Sequence, residues 1–425
     1  MHLQLGNRRL DKIKKFRMKY IIILGDGMSD RAIENLGNKT PLQCADKPAF
    51  DFLAKKGRCG LLHTIPEGFP PGSEVGNMSI LGYDVKECFE GRGPLEAASI
   101  GYDMQADDLA LRCNIISTDE TGNIKNHHGG NLTTSEGRQL IEYLDSKLGN
   151  DKIKFIPGIQ YRHLLVIKGG KKGMTLFPPH DHVGENTREL HQETLNSPQG
   201  KEAESTALLL VSLIEASKTL LEQHPINLER KKNGKDLANS IWPWSEGYRP
   251  KITPLSTLYP HIHGGVMITA VDLLKGIGRY AGLKPVEVEG ATGLADTNYE
   301  GKAQAAIDSL ENNDFVFIHV EATDEASHDR DLELKIKAIE YLDHRIVKPV
   351  TEAMLKKGEP FRIALLPDHP TSVETGKHLS DAVPFVIFDS EGTPDKVEVF
   401  DEQECAKGDF GTIAPTDFIK LFLQK

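Results

Sequence analysis

The sequence predicts an α/β fold in which a mainly parallel sheet is flanked by helices. Short apolar runs, typical of buried strands, alternate with longer amphipathic segments near both ends of the 425-residue chain. Between them lies a stretch of different texture, which contains the Trp/Pro-rich passage SIWPWSEGYRP. We therefore expect a core built from residues 18–89 and 259–425, with a second domain of α+β type inserted over 90–258.

The amino-terminal elements follow from the apolar pattern. The run KYIIIL predicts a first strand that ends just before Asp26, and a helix over 46–57 and a strand over 60–65 come next. The Gly/Pro-rich turn PEGFPPG then leads into SEVGNMSILGY, which predicts a helix beginning at Ser73. Residues 1–17 are basic, lack the apolar stretch of a signal peptide and are expected to be a disordered extension.

The same alternation returns in the carboxyl-terminal part of the chain. A helix is predicted over GVMITAVDLLKGIGRYAG (265–282), and a strand over PVEVEG (285–290). The remaining core predictions are helices over 299–311 and 331–355 and strands over 313–322, 361–368 and 384–389. In the inserted domain the predictions are strands over 108–117 and 163–169 and a helix over 205–224.

Composition argues against several classes of protein. The net charge of −11 disfavours nucleic acid and anionic membranes as general partners. No apolar run is long enough to span a bilayer. The five cysteines are widely spaced and form no CxxC pair, which predicts reduced thiols and a cytoplasmic protein. Nothing in the sequence indicates the oligomeric state.

Five short segments carry hard metal ligands, and three of them directly follow a strand-like apolar run. Loops at the carboxyl ends of parallel strands are where open α/β sheets place their chemistry. Carboxylates and imidazoles without thiolates suit Mn²⁺ or Zn²⁺, with Mg²⁺ also possible. The set predicts two divalent ions that clamp a phosphoryl group during in-line transfer. The candidate ligands are Asp26, Ser73, Asp324, His328, Asp368, His369 and His378.

Each of these residues also has an ordinary structural explanation. Asp26 could cap a helix or a turn, and Asp324 and His328 could belong to a solvated loop. If that segment is helical, their spacing of four places both on one face. Ser73 would be a nucleophile stabilised by a helix N-terminus, although serine is also a common capping residue there. Only the joint occurrence of these segments favours a phosphoryl-transfer site over the separate structural roles.

The same segments resemble the alkaline phosphatase superfamily. More specifically, GSEVGNMSILGYD, GRGPLEAASIG, ATGLADTNYEGKA and HVEATDEASHD resemble the archaeal-type cofactor-independent phosphoglycerate mutases, and the likeness runs from about Lys19 to the carboxyl terminus. The resemblance implies an alkaline-phosphatase-like core and an inserted cap domain that closes over a small phosphorylated substrate. A serine would take the phosphoryl group from 3-phosphoglycerate and return it to the 2-hydroxyl. Carried over residue by residue, one metal is held by Asp324, His328 and His378, and the other by Asp26, Ser73, Asp368 and His369.

Substrate recognition is assigned to basic residues. By resemblance, Lys302 in NYEGKA would neutralise the transferring group, and its alternative is an exposed helix lysine. Arg162 and Arg230 in the inserted domain suit bidentate contacts with phosphate or carboxylate, but either could equally be a surface residue. His127 and His128 stand where the related mutases carry an arginine-bearing segment; their alternative is an ordinary loop role.

The Trp-x-Trp passage IWPWSEG leaves the substrate open. It resembles a subgroup proposed to act as homoserine kinases, in which the same core would move a phosphoryl group from ATP to the amino acid hydroxyl. A requirement for ATP distinguishes this second hypothesis from the mutase. A third hypothesis, a metal-binding protein without turnover, is disfavoured because every predicted ligand position holds a competent residue.

Overall fold

The computed structural model describes residues 17–424, which form two compact units. Unit 1 contains residues 17–64, 259–268 and 286–424, and unit 2 contains residues 65–258 and 269–285. Apart from Arg17, the predicted extension over 1–17 lies outside the described residues. The compact units change at residue 65, and the division into a core and a substrate cap over 90–258 stays a prediction.

The strands are numbered in chain order. They are β1 (Lys19–Gly25), β2 (Arg58–Leu62), β3 (Asp108–Thr118), β4 (Ile124–Asn126), β5 (Ile153–Ile159), β6 (Arg162–Lys168), β7 (Ser240–Gly247), β8 (Gly265–Ile268), β9 (Lys284–Pro285), β10 (Phe315–Val320), β11 (Phe361–Leu366), β12 (Thr371–Ser372), β13 (Lys377–His378), β14 (Val383–Asp389) and β15 (Thr412–Ile413).

The α-helices are numbered in the same way. They are α1 (Pro41–Cys44), α2 (Pro48–Lys56), α3 (Ser73–Ile80), α4 (Val85–Cys88), α5 (Arg92–Ser99), α6 (Thr134–Leu148), α7 (Thr187–Asn196), α8 (Lys201–Glu222), α9 (Pro225–Lys232), α10 (Leu255–Leu258), α11 (Asp272–Tyr280), α12 (Tyr299–Ser309), α13 (Ala322–His328), α14 (Leu332–Leu342), α15 (Lys348–Lys357), α16 (Glu402–Cys405) and α17 (Asp417–Leu423). A 3₁₀ turn covers Glu34–Leu36 and a π-helical turn covers Asp343–Val347.

Unit 1 is organised by a sheet whose strands run in the order β15-β2-β14-β11-β1-β10-β8. All of them run in the same direction except β14, which is antiparallel to both neighbours. Ile22 in the middle of β1 pairs with Phe317 on one side and Ala364 on the other. Every residue of β1 is buried, as expected for a parallel strand covered on both faces. The predicted α/β class with a mainly parallel sheet is confirmed.

Two predicted elements of the sequence are wrong in part. The helix predicted over 265–282 begins as a strand: Gly265–Ile268 is β8, and only Asp272–Tyr280 is helical. Four apolar residues are too few to show a helical or a strand periodicity. They form a strand because they pair in parallel with β10. The strand predicted over 285–290 is present only at its first residue, in β9. Beyond it, Val286 and Val288 pack against the core of unit 1 without forming a ladder.

The helix predicted over 331–355 is confirmed, with an interruption. Helices α14 and α15 are joined by the π-helical turn, and Pro349 lies at the start of α15. Proline lacks a backbone N–H and its ring crowds the carbonyl four residues earlier, so a wider turn accommodates it. Within the wide turn, the buried Asp343 side chain accepts a hydrogen bond from the backbone N–H of Phe50 at 2.7 Å.

Unit 2 contains an antiparallel sheet centred on β3. This strand pairs with β6 on one side and with β7, which carries both tryptophans, on the other. Helices α6 and α8 supply apolar side chains to the same core. The strands predicted over 108–117 and 163–169 and the helix over 205–224 are confirmed as β3, β6 and α8. Over residues 17–424, no helix has both the length and the apolar character needed to cross a bilayer.

Gly276→Ala tests the close packing of α11 on α5 within unit 2. A β-carbon at Gly276 would lie 1.9 Å from the backbone oxygen of Leu95, so the two helices would have to separate. We expect the free energy of unfolding to fall by about 1–3 kcal/mol. Urea unfolding followed by tryptophan fluorescence measures this change, since both tryptophans lie in unit 2.

The control is Leu208→Ala, at a side chain of α8 that is 54% exposed. This change should alter the free energy of unfolding by less than about 0.5 kcal/mol. Equal losses in the two variants would show that α5 and α11 do not pack as described.

Candidate metal centre

Three adjacent strands of unit 1 place acidic residues at their carboxyl ends. Asp26 directly follows β1, Asp324 lies in α13 just beyond β10, and Asp368 lies just beyond β11. Because β1 pairs in parallel with β10 and β11, these ends meet at one edge of the sheet. The three residues are only 1%, 5% and 0% exposed. The structure therefore brings together three buried carboxylates that the sequence singled out.

Asp26, His319 and Asp368 form a first cluster, called the Asp26 group. Each offers a ligand atom, and these atoms all lie within 4.8 Å of one another. His319 Nε2 is 3.0 Å from Asp26 Oδ2. The backbone of Asp26 is fixed on both sides, because its N–H donates to Val320 O at 2.9 Å and the Thr323 hydroxyl donates to its carbonyl.

His319 is a candidate ligand that the sequence pattern does not single out. It lies within β10, in the run FVFIHVEA, which the apolar pattern predicts as a buried strand. One feature of the sequence could have indicated it: His319 is the one ionisable side chain in an otherwise apolar strand. Because a buried polar group needs a partner, such a residue is expected to face another polar group. The pairing of His319 with Leu24 of β1 places it next to the loop that carries Asp26.

Asp324, His369 and His378 form a second cluster, called the Asp324 group, with ligand atoms again within 4.8 Å of one another. His328 adjoins it, because its Nε2 is 3.0 Å from Asp324 Oδ2 and 2.9 Å from His378 Nε2. Both Asp324 and His328 lie in α13, so the solvated-loop alternative is wrong. His369 Nε2 is also 3.4 Å from Asp26 Oδ1, which places this imidazole between the two groups.

Burial and neighbouring charge perturb the protonation of these residues. Burial, followed by the charge of Asp368, raises the pKa of Asp26 well above its usual value. The hydrogen bond to Asp324 raises the pKa of His328 to about 9. Burial alone would raise the pKa of Asp324, but the hydrogen-bonded imidazoles of His328 and His378 lower it overall. Burial lowers the pKa of His319 to about 4, so this imidazole is neutral near pH 7.

The donor chemistry of both groups fits divalent cations. Each combines carboxylate oxygen with imidazole nitrogen from converging side chains. The mutual repulsion of Asp26 and Asp368, which are both buried, would be relieved by a cation between them. A metal ion would take the place of the proton that Asp26 holds to higher pH than usual.

Lys302 lies in α12, close to His319 of the Asp26 group. It is 1% exposed, so the alternative of an exposed helix lysine is wrong. Its Nζ donates to the backbone oxygen of His319 at 3.4 Å. Burial lowers the pKa of Lys302 to about 8, against the opposing charge of Glu321. Burial, then Glu325 and Asp324, raises the pKa of Glu321 to about 8.

Ser73 lies in unit 2, at the first residue of α3, where the sequence predicted it. Gly72 rather than Ser73 is the N-cap residue, so the alternative of a capping serine is wrong. The side-chain amide of Asn77 donates to the Ser73 carbonyl at 2.9 Å and closes the first turn. The next residue, Glu74, accepts a hydrogen bond from Arg92 Nε at 3.0 Å. The first turn of the helix is therefore held by side chains as well as by its backbone.

Three of the predicted substrate residues come together in unit 2 around Tyr161. The rings of His127 and His128 have centroids 5.1 Å apart, and that of His127 is 5.9 Å from Tyr161. The guanidinium of Arg162 lies 5.9 Å from the centroid of the Tyr161 ring. His180, which the sequence analysis missed, places a third imidazole 6.1 Å from His127.

Arg230 is placed differently from these residues. It is 3% exposed, so the surface-residue alternative is wrong, and its substrate contact stays a prediction. Its guanidinium supports the loop that carries His127 and His128. The acceptors are Glu136 Oε1 at 2.9 Å and the backbone oxygens of Asp236 at 2.9 Å, Gly129 at 3.0 Å and Gly130 at 2.5 Å.

Comparison with known proteins gives a consistent family. A family model described as 2,3-bisphosphoglycerate-independent phosphoglycerate mutase matches residues 54–227. A protein of Methanosarcina mazei with that name is 49% identical over 409 residues, covering 96% of this chain and 100% of the relative. A protein of Geobacter sulfurreducens, named as a probable enzyme of this kind, is 45% identical over 392 residues, covering 91% of this chain and 95% of the relative.

Solved structures agree with these relatives. A protein from Pyrococcus horikoshii has a TM-score of 0.78 at 29% identity, covering 96% of this chain and 97% of the other. A cofactor-independent phosphoglycerate mutase from Thermoplasma acidophilum has a TM-score of 0.69 at 26% identity, covering 96% and 99%. Fold and site define an α/β enzyme with a candidate centre for divalent metal ions. The chain belongs to the 2,3-bisphosphoglycerate-independent phosphoglycerate mutase family, as the resemblance predicted.

Metal binding should be weaker in acid than in mild alkali. Asp26 and His328 have raised pKa values in the metal-free protein, so they hold protons to higher pH than usual. Because a ligand must lose its proton before it binds a cation, we expect Mn²⁺ affinity to increase from about pH 6 to about pH 8, with release of protons. Calorimetric titration in buffers of different ionisation enthalpy measures both quantities.

His328→Gln removes one of the titrating ligands and should flatten this pH dependence. His63→Gln changes an exposed histidine of the same unit and should leave it unaltered. Mn²⁺ affinity that does not vary with pH in the wild-type protein would rule out these residues as the groups that exchange protons for metal.

Proposed function

We propose that this protein is a metal-dependent phosphoglycerate mutase that interconverts 3-phosphoglycerate and 2-phosphoglycerate through a phosphoserine, without 2,3-bisphosphoglycerate. The observation that carries this proposal is the pair of carboxylate–imidazole groups at one edge of the sheet. It occurs in a chain 49% identical over 96% of its length to a protein named as such a mutase. The relative's name supports a small phosphorylated substrate for this chain.

The residues that would hold two divalent ions are those of the Asp26 group and the Asp324 group, with His328 beside the latter and Ser73 as the remaining predicted ligand. Bound ions of this kind polarise phosphoryl oxygens and lower the pKa of a nearby hydroxyl. Mixed carboxylate and imidazole ligands without thiolates favour Mn²⁺ or Zn²⁺ over Mg²⁺.

Ser73 is the proposed nucleophile. Its Oγ would attack the phosphorus of 3-phosphoglycerate as the bond to the 3-oxygen breaks, and the serine proton would pass to that oxygen, which becomes a hydroxyl. The 2-hydroxyl would then take the phosphoryl group as the bond from phosphorus to Ser73 Oγ breaks, and it would give its proton to Oγ, so that Ser73 is regenerated and no water is consumed. The backbone N–H groups in the first turn of α3 favour the negative charge that arrives with the phosphoryl group. Water must be excluded meanwhile, since hydrolysis of phosphoserine would release free phosphate.

Basic and imidazole side chains would orient the substrate. Lys302 is proposed to offset the charge of the transferring group, and its burial strengthens that interaction because little water screens it. His127, His128 and Arg162 in unit 2 are proposed to bind anionic ends of the substrate. Arg230 would act by holding the loop of the two histidines in place. The free cysteines support a cytoplasmic location.

A kinase of the homoserine type is the second candidate. The observation in its favour is the Trp-x-Trp passage, which forms β7 and buries both indoles. Trp244 Nε1 donates to Asn114 Oδ1 at 3.2 Å, and the guanidinium of Arg112 lies 5.0 Å from the centroid of the same indole. The kinase reaction would require ATP as the phosphoryl donor.

Phosphorus NMR separates the two candidates. Mn²⁺-loaded protein that is given 3-phosphoglycerate without nucleotide should form 2-phosphoglycerate, because the phosphoryl group stays within the substrate and the enzyme. A parallel sample with ATP and homoserine should remain unchanged. Phosphohomoserine in the second sample and no reaction in the first would contradict the mutase and establish the kinase.

Ser73→Ala provides the test of the covalent intermediate. Loss of the nucleophile should lower the rate of conversion by about 10⁴-fold or more. Ser79→Ala is the matched control, since Ser79 is a buried serine of the same helix, and it should retain wild-type conversion. Wild-type conversion by Ser73→Ala would exclude a phosphoserine at this position.

A further inference from the structure

We propose that Lys335 is a positioning residue that ties together the two loops carrying the candidate metal ligands and so sets the metal affinity of the centre. The inference rests on the proposed metal-dependent function and deepens it. Lys335 belongs to neither ligand group. It acts through the backbone and a carboxylate of its neighbours, because Nζ donates to Ser29, Asp30 and Thr371, none of which is a candidate ligand.

Lys335 lies in α14 and is fully buried. Its Nζ donates to Asp30 Oδ2 at 3.0 Å, to Ser29 O at 3.3 Å and to Thr371 O at 2.6 Å. A lysine ammonium has three N–H groups, and here each has its own acceptor. Two acceptors lie in the loop after β1 and one lies in β12, so a single cation bridges both segments.

Asp30 completes the bridge from the other side. Its Oδ2 also accepts a hydrogen bond from the backbone N–H of Val373 at 2.9 Å, and its Oδ1 accepts one from Arg31 N at 2.8 Å. The backbone N–H of Thr371 donates to Ser29 O at 3.1 Å. The contacts of Lys335 and Asp30 therefore fix the spacing between the loop of Asp26 and the loop of Asp368 and His369.

Thr371 connects the segments held by Lys335 to the candidate ligands, because it contacts these ligands directly. Its Oγ1 donates to Asp324 Oδ1 at 2.5 Å and lies 3.2 Å from His369 Nδ1. In the β12–β13 ladder, Thr371 pairs directly with His378. A displacement of Thr371 would thus shift all members of the Asp324 group. Metal sites tolerate errors of only about 0.2 Å in ligand distance, so a small shift is enough to weaken binding.

The ordinary alternative is a buried ion pair that matters for stability alone. Removing one partner of such a pair destabilises a protein mainly because the other charge is left buried without compensation, whereas removing both is often nearly neutral. A pair that positions ligands behaves differently, since its bridge is missing in the double variant as well. The double variant therefore separates the two roles.

The test compares Lys335→Met with the double variant Lys335→Met/Asp30→Asn, in which the asparagine oxygen can still accept from Val373. Thermal unfolding of the metal-free protein and the Mn²⁺ dissociation constant are measured for each. Lys335→Met should unfold at a lower temperature and bind Mn²⁺ about 10- to 100-fold more weakly. The double variant should regain stability but keep the weakened Mn²⁺ binding.

Lys19→Met is the matched control. It breaks another buried ion pair of unit 1, Lys19 Nζ to Asp314 Oδ1 at 3.1 Å, located at the amino end of β1. It should lose stability yet bind Mn²⁺ like the wild type. Wild-type Mn²⁺ affinity in Lys335→Met, or its recovery together with stability in the double variant, would overturn the inference. A wild-type protein that binds no Mn²⁺ would overturn the proposed metal-dependent function, and this inference with it.

Discussion

Burial of like charges at the end of one sheet is the constraint on which unit 1 depends. Asp26, Asp324 and Asp368 are at most 5% exposed, and burial and mutual repulsion raise the pKa of Asp26. Such an arrangement costs folding free energy unless imidazoles or cations compensate it. The parallel strands keep the carboxylates close, and hydrogen bonds such as Asp26 N to Val320 O keep their loops in place. The strand pairing and these hydrogen bonds therefore hold together carboxylates whose burial would otherwise be unfavourable.

Most of the strands in unit 1 could be predicted, because parallel strands buried on both faces appear as continuous apolar runs such as IIIL and RIALL. The prediction was wrong at Gly265–Ile268, since four apolar residues before an amphipathic helix look like its first turn. Only pairing with β10 distinguishes them. The segment over 285–290 was predicted as a strand from its alternating valines. These valines pack on the core, but the segment beyond Pro285 forms no ladder.

The candidate ligands in loops could be found from sequence because acidic and imidazole side chains stand out directly after an apolar strand. His319 could not, since one histidine inside a strand has no pattern, and only the register between β1 and β10 places it beside Asp26. Lys302 was singled out by family resemblance alone, and its burial depends on tertiary packing that no local pattern records. The support that Arg230 gives to Gly129 and Gly130 is likewise a long-range contact that no local pattern records.

Membership of the mutase family indicates the reaction, and the two carboxylate–imidazole groups are the observation behind the proposed metal dependence. Anomalous X-ray diffraction from crystals grown with Mn²⁺ tests that link most directly, because it locates each ion without reference to activity. One peak within the Asp26 group and another within the Asp324 group are expected. The absence of a peak from both groups, or a single peak elsewhere, would contradict a metal centre at this edge of the sheet.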